Sequence, residues 1–134
     1  MLDNYTEICV KAHHTELAQV HGWLTEQLQG LQIPEAMITK VQLVVEELFT
    51  NSIYHAYRLE CDQPIRVGYA WHSPQIHILY ADQAPGFDLR TATPTPAKDG
   101  IGGNGLLLIQ ELASHLDYSY SQGWNRIGLV FAVA

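Results

Sequence analysis

Apolar residues recur along this chain with two spacings, one typical of strands and the other of helices. In residues 5–12 every second side chain is apolar, which predicts a first strand. Apolar residues then return every three or four positions, which predicts amphipathic helices over residues 15–31 and 34–57. Gly30 near the end of the first helix and Pro34 at the start of the second are residue types that helix ends favour.

The middle of the chain changes to the alternation that is typical of strands. Residues 65–71 and 75–81 alternate on either side of a turn at 72–74, so we predict that they form a hairpin. Residues 62–64 (Asp-Gln-Pro) are predicted to be a connector that leads into it. This part of the chain therefore predicts an antiparallel pair of strands after the two helices.

The last third of the chain combines a long loop with a helix and a second hairpin. Residues 83–105 are rich in Gly and Pro and predict a loop, and a long loop in a small domain is usually functional. A helix over 106–115 follows, and strands over 116–121 and 126–133 close around a turn at 122–125. This order of elements predicts an α+β fold of two layers, in which a mixed, mostly antiparallel sheet carries helices on one face.

Composition and charge narrow the classes of function. The 134 residues are predicted to form a single domain, 1–134, because 47 % are hydrophobic and only 16 % are charged. A net charge of −7 argues against direct nucleic-acid binding, since duplex affinity depends on Lys and Arg at phosphates. Because neither a signal peptide nor an apolar segment of about 20 residues is evident, we expect a cytoplasmic protein without a membrane partner.

A first cluster of chemically active residues lies in the second predicted helix. Glu47 and Asn51 are four positions apart, so their side chains share one helical face at the edge of the apolar stripe. A carboxylate in that place can accept a proton, and an amide oxygen one turn further on can bind Mg²⁺. The same pair is also typical of an ordinary solvated face, and the spacing alone leaves that alternative open.

A second cluster follows the strand predicted over residues 75–81. Asp82 is placed to accept a hydrogen bond from a ligand amine, such as that of adenine. The small residues Ala84 and Gly86 would let the backbone approach a flat ring closely. The alternative is a turn without a ligand, in which Asp and Gly are present for backbone conformation.

The third cluster contains four glycines within six residues, just before the last predicted helix. Gly100, Gly102, Gly103 and Gly105 would allow several backbone N–H groups to converge on an anion at the helix start. Packing gives little reason for so many glycines, because each raises the entropy cost of folding. A phosphate-binding P-loop is excluded, since no Gly-Lys-Ser/Thr follows, and these glycines do not form the Gly-x-Gly-x-x-Gly motif of dinucleotide-binding folds.

Taken together and in this order, the three clusters resemble the N, G1 and G2 boxes of the superfamily of DNA gyrase, Hsp90, histidine kinases and MutL. Residues 47–57 and 103–109 are most similar to the corresponding motifs of the anti-sigma factor serine/threonine kinases. The resemblance covers residues 5–133 and implies the Bergerat ATP-binding fold of that superfamily.

The resemblance also implies roles for single residues. Glu47 would be the general base that accepts a hydroxyl proton, Asn51 would bind the Mg²⁺ that bridges the phosphates of ATP, and Asp82 would bind the adenine amine. The remaining implied contacts to the nucleotide are Ala84 and Gly86 at the adenine, and Gly102, Gly103, Asn104, Gly105 and Leu106 at the phosphates.

This chain departs from the family pattern at three places. Ala84 replaces a glycine of the first box, and its methyl group is expected to crowd the adenine. A Gly-Thr contact near the last hairpin is replaced by Gly123-Trp124-Asn125. The lid between the two glycine boxes is short, and Lys98 or Arg90 would contact phosphate there unless both are solvated surface residues.

The function implied by the resemblance is a protein serine/threonine kinase that uses ATP and Mg²⁺. Its substrate would be a small anti-anti-sigma partner of the STAS type. It would also sequester a sigma factor and so regulate transcription by partner switching, and the family allows a homodimer. Two alternatives stay open: a non-catalytic module that binds a partner protein according to nucleotide occupancy, and the ATP-binding half of a split histidine kinase.

Overall fold

The computed structural model describes residues 4–85 and 105–133 as strands, helices and short turns. Of the residues singled out from the sequence, Gly86, Arg90, Lys98, Gly100, Gly102, Gly103 and Asn104 lie outside these ranges. The elements are β1 (Thr6–Ala12), a 3₁₀ turn (His14–Glu16), α1 (Leu17–Gly30), α2 (Glu35–Asn51), a π-helical turn (Ser52–Ala56), β2 (Cys61–His72), β3 (Gln75–Asp82), α3 (Gly105–Leu112), β4 (His115–Ser121) and β5 (Trp124–Ala132).

The five strands form one sheet in the spatial order β1-β2-β3-β5-β4. All four pairings between neighbouring strands are antiparallel. The hairpins β2–β3 and β4–β5 are joined by α3, and β5 rather than β4 lies beside β3. Both hairpins were predicted, and the mostly antiparallel character of the sheet is confirmed, although none of these pairings is parallel as a mixed sheet would require.

One face of the sheet and one face of each long helix form the core. Every second residue of the central strands is buried there, because neighbouring side chains of a strand point to opposite faces. Full burial of each such side chain contributes about 1.5–3 kcal/mol. The helices contribute Val20, Leu24, Leu28, Val41, Val44, Val45 and Leu48, and the strands contribute Ile65, Val67, Ile76, Ile78, Ile127, Leu129 and Phe131. The predicted α+β fold with a helical layer on one sheet face is confirmed.

The prediction of a connector at residues 62–64 is wrong, because β2 begins at Cys61 and includes them. Pro64 lies opposite Lys11 of the edge strand β1, beside a shift in register between Lys11 and Ala12. A proline without an N–H group is tolerated at such an irregularity near a sheet edge. The Pro64 carbonyl still accepts a hydrogen bond, from the Tyr57 hydroxyl at 3.0 Å.

The last hairpin is tighter than the sequence predicted. Its turn consists of Gln122 and Gly123 alone, with φ of 55° and 84°. Positive φ at both central residues is the two-residue turn that matches the twist of a β-hairpin. Trp124 and Asn125, which were predicted to belong to the turn, are therefore the first two residues of β5.

The last helix ends three residues earlier than predicted, at Leu112. Ser114 then donates two hydrogen bonds to the Val130 carbonyl, one from its backbone N–H at 2.8 Å and one from its hydroxyl at 2.9 Å. These bonds turn the chain into β4 at His115. No helix within residues 4–85 and 105–133 is both long and apolar enough to cross a membrane.

Candidate functional site

The predicted pair on α2 lies against the beginning of α3. Glu47 and Asn51 are both half-buried on one face of α2. A Cβ atom built on Gly105 would lie 3.3 Å from Glu47 Cδ and 3.7 Å from Asn51 Nδ2, and Glu47 Oε2 would be its nearest neighbour. With a side chain at residue 105, the Glu47 carboxylate would have to move for α3 to begin so close to α2. The structure thus brings Glu47, Asn51 and Gly105 together.

The position of Glu47 is electrostatically favourable. Its carboxylate lies at the N-terminal end of α3, where the backbone N–H groups of the first turn have no partner within the helix. These N–H groups and the helix dipole favour negative charge. Leu106, which was predicted to contact phosphate through its backbone, belongs to this first turn. The end of α3 is therefore suited to an anion.

Asp82 is the last residue of β3 and is 7 % exposed. Its carboxylate accepts three hydrogen bonds from three different parts of the chain. Ser52 Oγ donates to Oδ2 at 2.6 Å, Asn125 Nδ2 donates to Oδ1 at 2.9 Å, and the Ala84 backbone N–H donates to Oδ1 at 3.2 Å. A buried charge of this kind is stable because it is hydrogen-bonded.

A buried tyrosine continues this network towards α2. The Tyr80 hydroxyl lies 2.6 Å from Ser52 Oγ and 3.0 Å from the Leu48 carbonyl, to which it can donate. Tyr80 is almost fully buried, and this burial raises the pKa of its phenol well above the usual value. Tyr80 therefore stays a neutral hydroxyl that can donate a hydrogen bond.

The π-helical turn after α2 connects this helix to the residues around Asp82. The Tyr57 backbone N–H donates to the Ser52 carbonyl at 2.7 Å, five residues earlier, which is the bond of a π-helix. The Tyr57 hydroxyl accepts a hydrogen bond from the Gln83 backbone N–H at 2.7 Å. Burial of Tyr57 raises the pKa of its phenol. Ser52 and Tyr57 therefore tie the end of α2 to the residues on and after Asp82.

Ala84 and Asn125 occupy two of the positions where this chain departs from the family pattern. The Ala84 residue is 1 % exposed, so its methyl group is accommodated in the interior. Asn125 lies directly opposite Asp82 in the β3–β5 register, and its Nδ2 also donates to the Ala84 carbonyl at 2.9 Å. The Tyr118 hydroxyl donates to Asn125 Oδ1. Asn125 therefore holds the turn after β3 in place.

Three members of the network were missed in the sequence: Ser52, Tyr80 and Asn125. A signal existed for Ser52, because it follows Leu48 by four positions and therefore continues the buried stripe of α2 with a hydroxyl group. Tyr80 and Asn125 carry weaker signals, since each places a polar group in an alternating row of apolar residues, after Ile76 and Ile78 in β3 and before Ile127 and Leu129 in β5. Polar groups at buried positions are hydrogen-bonded, so each of them requires a nearby partner.

These features define a class of protein. A Glu-x-x-x-Asn face on α2 lies against the start of α3. The Asp at the end of β3 is hydrogen-bonded to the residue that follows α2. Both features belong to a helical layer on an antiparallel sheet. The family model of the histidine kinase-like ATPase domain matches residues 10–131. The chain belongs to this family, which confirms the superfamily expected from the three motifs.

Among characterised relatives, the chain is similar to the serine-protein kinases RsbW of Listeria. It is 32 % identical over 95 residues to RsbW of Listeria monocytogenes serotype 4a, and the match covers 64 % of this chain and 60 % of that protein. RsbW of Listeria innocua serovar 6a matches with the same identity and the same coverage. The similarity thus spans about three fifths of the length of these relatives.

Solved structures show the same fold at lower sequence identity. The RsbU and RsbW domains of Rv1364c from Mycobacterium tuberculosis superpose with a TM-score of 0.69 at 15 % identity, covering 96 % of this chain and 32 % of that one. The SiaB–SiaC complex from Pseudomonas aeruginosa superposes with a TM-score of 0.61 at 13 % identity, covering 96 % and 89 %. These likenesses support the assignment of the fold.

Proposed function

We propose that this chain binds ATP with Mg²⁺ and transfers the γ-phosphoryl group to a serine or threonine of a partner protein. The observation that carries the proposal is the contact of Glu47 and Asn51 with the beginning of α3 at Gly105. A base, an amide ligand and a helix N-terminus are three of the parts that phosphoryl transfer to a hydroxyl needs. The similarity to serine-protein kinases RsbW supports the same reaction class.

The residues present fit a bound ATP molecule in their chemistry. Asp82 would offer a carboxylate acceptor to the adenine amine, and Ala84, which contacts the adenine by family resemblance, donates its backbone N–H to that carboxylate. Asn51 would bind Mg²⁺ through its amide oxygen. Gly105 and Leu106 would donate backbone N–H groups to the phosphates, together with Gly102, Gly103 and Asn104 by family resemblance, while Gly86 would complete the adenine pocket.

Glu47 would act on the protein substrate as a general base. Its carboxylate would take the proton of the serine or threonine hydroxyl while the hydroxyl oxygen bonds to the γ-phosphorus and the bond to the β,γ-bridging oxygen breaks. The Mg²⁺ ion would neutralise charge on the phosphates. No covalent intermediate with the protein is needed, so Glu47, Asn51 and the α3 N-terminus act by positioning and charge.

The partner proteins are those that the resemblance to the anti-sigma factor kinases implies, and they are part of the proposal. The substrate would be a small anti-anti-sigma protein of the STAS type, and the unphosphorylated partner would compete with a sigma factor for this chain. A solved relative is itself a complex, SiaB with SiaC. A homodimer and a cytoplasmic location are consistent with this function and belong to the same proposal.

Nucleotide binding and transfer can be tested separately on the full chain. A nucleotide at 100 times its dissociation constant should stabilise the fold by about 2.7 kcal/mol, which raises Tm by about 10 °C. Transfer is measured with γ-labelled ATP and a STAS-type protein from the same genome. An unchanged Tm with ATP and Mg²⁺ would remove the nucleotide from the proposal. A raised Tm without transfer to any such partner would favour the non-catalytic binding module.

Gly105→Ala is expected to separate folding from transfer. The new methyl group would meet the Glu47 carboxylate, which is the movable end of a side chain, so Glu47 should shift while α3 stays in place. A misplacement of about 1 Å can cost up to 100-fold in rate, so we expect at least a tenfold loss of transfer with Tm within about 3 °C of the wild type.

Gly22→Ala is the matched control for this substitution. Gly22 is a helical glycine of α1, and a Cβ atom built on it meets nothing within 4 Å. Alanine is favoured over glycine in a helix, so this variant should keep its transfer rate and gain slightly in stability. If both variants transfer phosphate like the wild type, the close approach of Gly105 to Glu47 has no role in the reaction.

A further inference from the structure

We propose that Ser52 and Asn125 position the Asp82 carboxylate and leave it one acceptor direction, which is the one that receives a nucleobase amine. Both would be positioning residues, because they act through Asp82 and not on the nucleotide directly. The inference rests on the proposed function, since it concerns how the same site recognises its nucleotide.

The Asp82 carboxylate has a limited number of acceptor sites. A carboxylate offers about four lone-pair directions, two on each oxygen. Asn125 Nδ2 and the Ala84 N–H occupy both directions of Oδ1, and Ser52 Oγ occupies one direction of Oδ2. One direction on Oδ2 remains among the hydrogen bonds of residues 4–85 and 105–133. A ligand with one N–H group to donate fits this remaining direction.

The Ser52 hydroxyl donates its hydrogen bond to Asp82. Its oxygen has Asp82 Oδ2 at 2.6 Å on one side and the Tyr80 hydroxyl at 2.6 Å on the other. A carboxylate can only accept, and bonds to a charged acceptor are the stronger ones, so the Ser52 proton points to Asp82. Tyr80 then donates to Ser52 or to the Leu48 carbonyl, and neither choice removes the Ser52–Asp82 bond.

The orientation of the Asn125 amide is fixed by its other hydrogen-bond partners. Tyr118 donates to its Oδ1, and the Ala84 carbonyl accepts from its Nδ2. Because the Ala84 carbonyl can only accept, it requires this orientation, and the Asn125 amide presents its N–H₂ group to Asp82. Asn125 is 7 % exposed, and rotation of its side chain would leave buried polar groups unpaired.

The place of Ser52 in the chain adds a link within the site. Ser52 follows Asn51 directly at the start of the π-helical turn. The same turn of backbone therefore presents Asn51 on one side and holds Asp82 on the other. The nucleobase end and the phosphate end of the proposed site are thus joined by one short segment of backbone.

The test compares two nucleotides that differ only in the amine. Dissociation constants are measured with Mg²⁺ for ATP and for purine riboside triphosphate, which carries hydrogen in place of the 6-amino group. The wild type should bind ATP at least tenfold more tightly, the size of one hydrogen bond to a charged acceptor. In Ser52→Ala this preference should fall to about threefold or less, while affinity for purine riboside triphosphate stays within about twofold.

Asn125→Ala provides a second variant on a different element, and Ser114→Ala is the control. Asn125→Ala should also reduce the preference for ATP, and it decides the matter if Ser52→Ala does not fold. Within residues 4–85 and 105–133, Ser114 donates only to the Val130 carbonyl in the turn before β4, so its variant should keep the wild-type preference.

Three outcomes are distinguishable. Equal weakening of both nucleotides in Ser52→Ala and Asn125→Ala, with the preference unchanged, would overturn the inference, because a merely structural role gives that result. A wild type that binds ATP without preferring it over purine riboside triphosphate would also overturn it, but would leave the proposed function intact. A wild type that binds neither nucleotide would overturn the proposed function and the inference together.

Discussion

Glu47→Gln is expected to leave the affinity for ATP within about threefold of the wild type and to lower phosphoryl transfer at least 100-fold. Glutamine has nearly the same shape as glutamate, so the contact with Gly105 and the start of α3 can persist. It has no carboxylate to take the hydroxyl proton, and loss of a general base costs about 100- to 10,000-fold in rate. Affinity is measured by calorimetry and transfer by label appearing on the partner.

The chain offers a closely matched control in the neighbouring residue. Glu46 precedes Glu47 on α2, but its side chain is 53 % exposed and lies 4.0 Å from His21 Nε2 of α1. Glu46→Gln removes the same charge from the same helix without touching α3, so transfer should stay within about twofold of the wild type. If Glu47→Gln transfers phosphate as fast as Glu46→Gln, then Glu47 is not the base.

The layers of the fold could be predicted because they depend on periodicity. Burial of one face selects apolar residues at every second position of a strand and every third or fourth of a helix, so β1, α1, α2 and the β2–β3 hairpin are visible in the sequence. The errors at Pro64 and Asn125 have a different cause. A segment end that contains proline or polar residues joins a strand only if a partner strand pairs with it. The register of that pairing cannot be predicted from either segment alone.

The candidate site also has a part that could be predicted from local spacing and a part that could not. Glu47 and Asn51 share a face because of helical spacing, and that could be predicted from two positions in one helix. The hydrogen bonds that hold Asp82 could not be predicted. Asn125 contacts Asp82 because of the β3–β5 register, and Ser52 contacts it from the end of α2. These contacts join residues 30 to 43 positions apart in the chain. Local patterns carry no information on contacts of that kind.

Asp82→Asn is expected to weaken ATP binding about 100-fold and to reverse the preference between 6-amino and 6-oxo purines. Asn125 Nδ2 and the Ala84 N–H both need an acceptor at the Oδ1 position, so the amide oxygen of the variant should stay there. The amide nitrogen then occupies the Oδ2 position, where the Ser52 hydroxyl can rotate to accept from it. The fold keeps its hydrogen bonds, but the group that faces the ligand changes from an acceptor to a donor.

A donor facing the adenine amine leaves two N–H groups opposed, whereas the 6-oxo group of inosine triphosphate would accept from the new amide. Dissociation constants for ATP and inosine triphosphate should therefore move in opposite directions in this variant, with Tm in the absence of nucleotide nearly unchanged. Asp117→Asn removes a charge from an exposed strand residue beside Gly128 and should leave both constants unaltered. Equal losses for both nucleotides in Asp82→Asn would mean that Asp82 supports the pocket without contacting the base, since only a direct contact distinguishes an amine from a carbonyl.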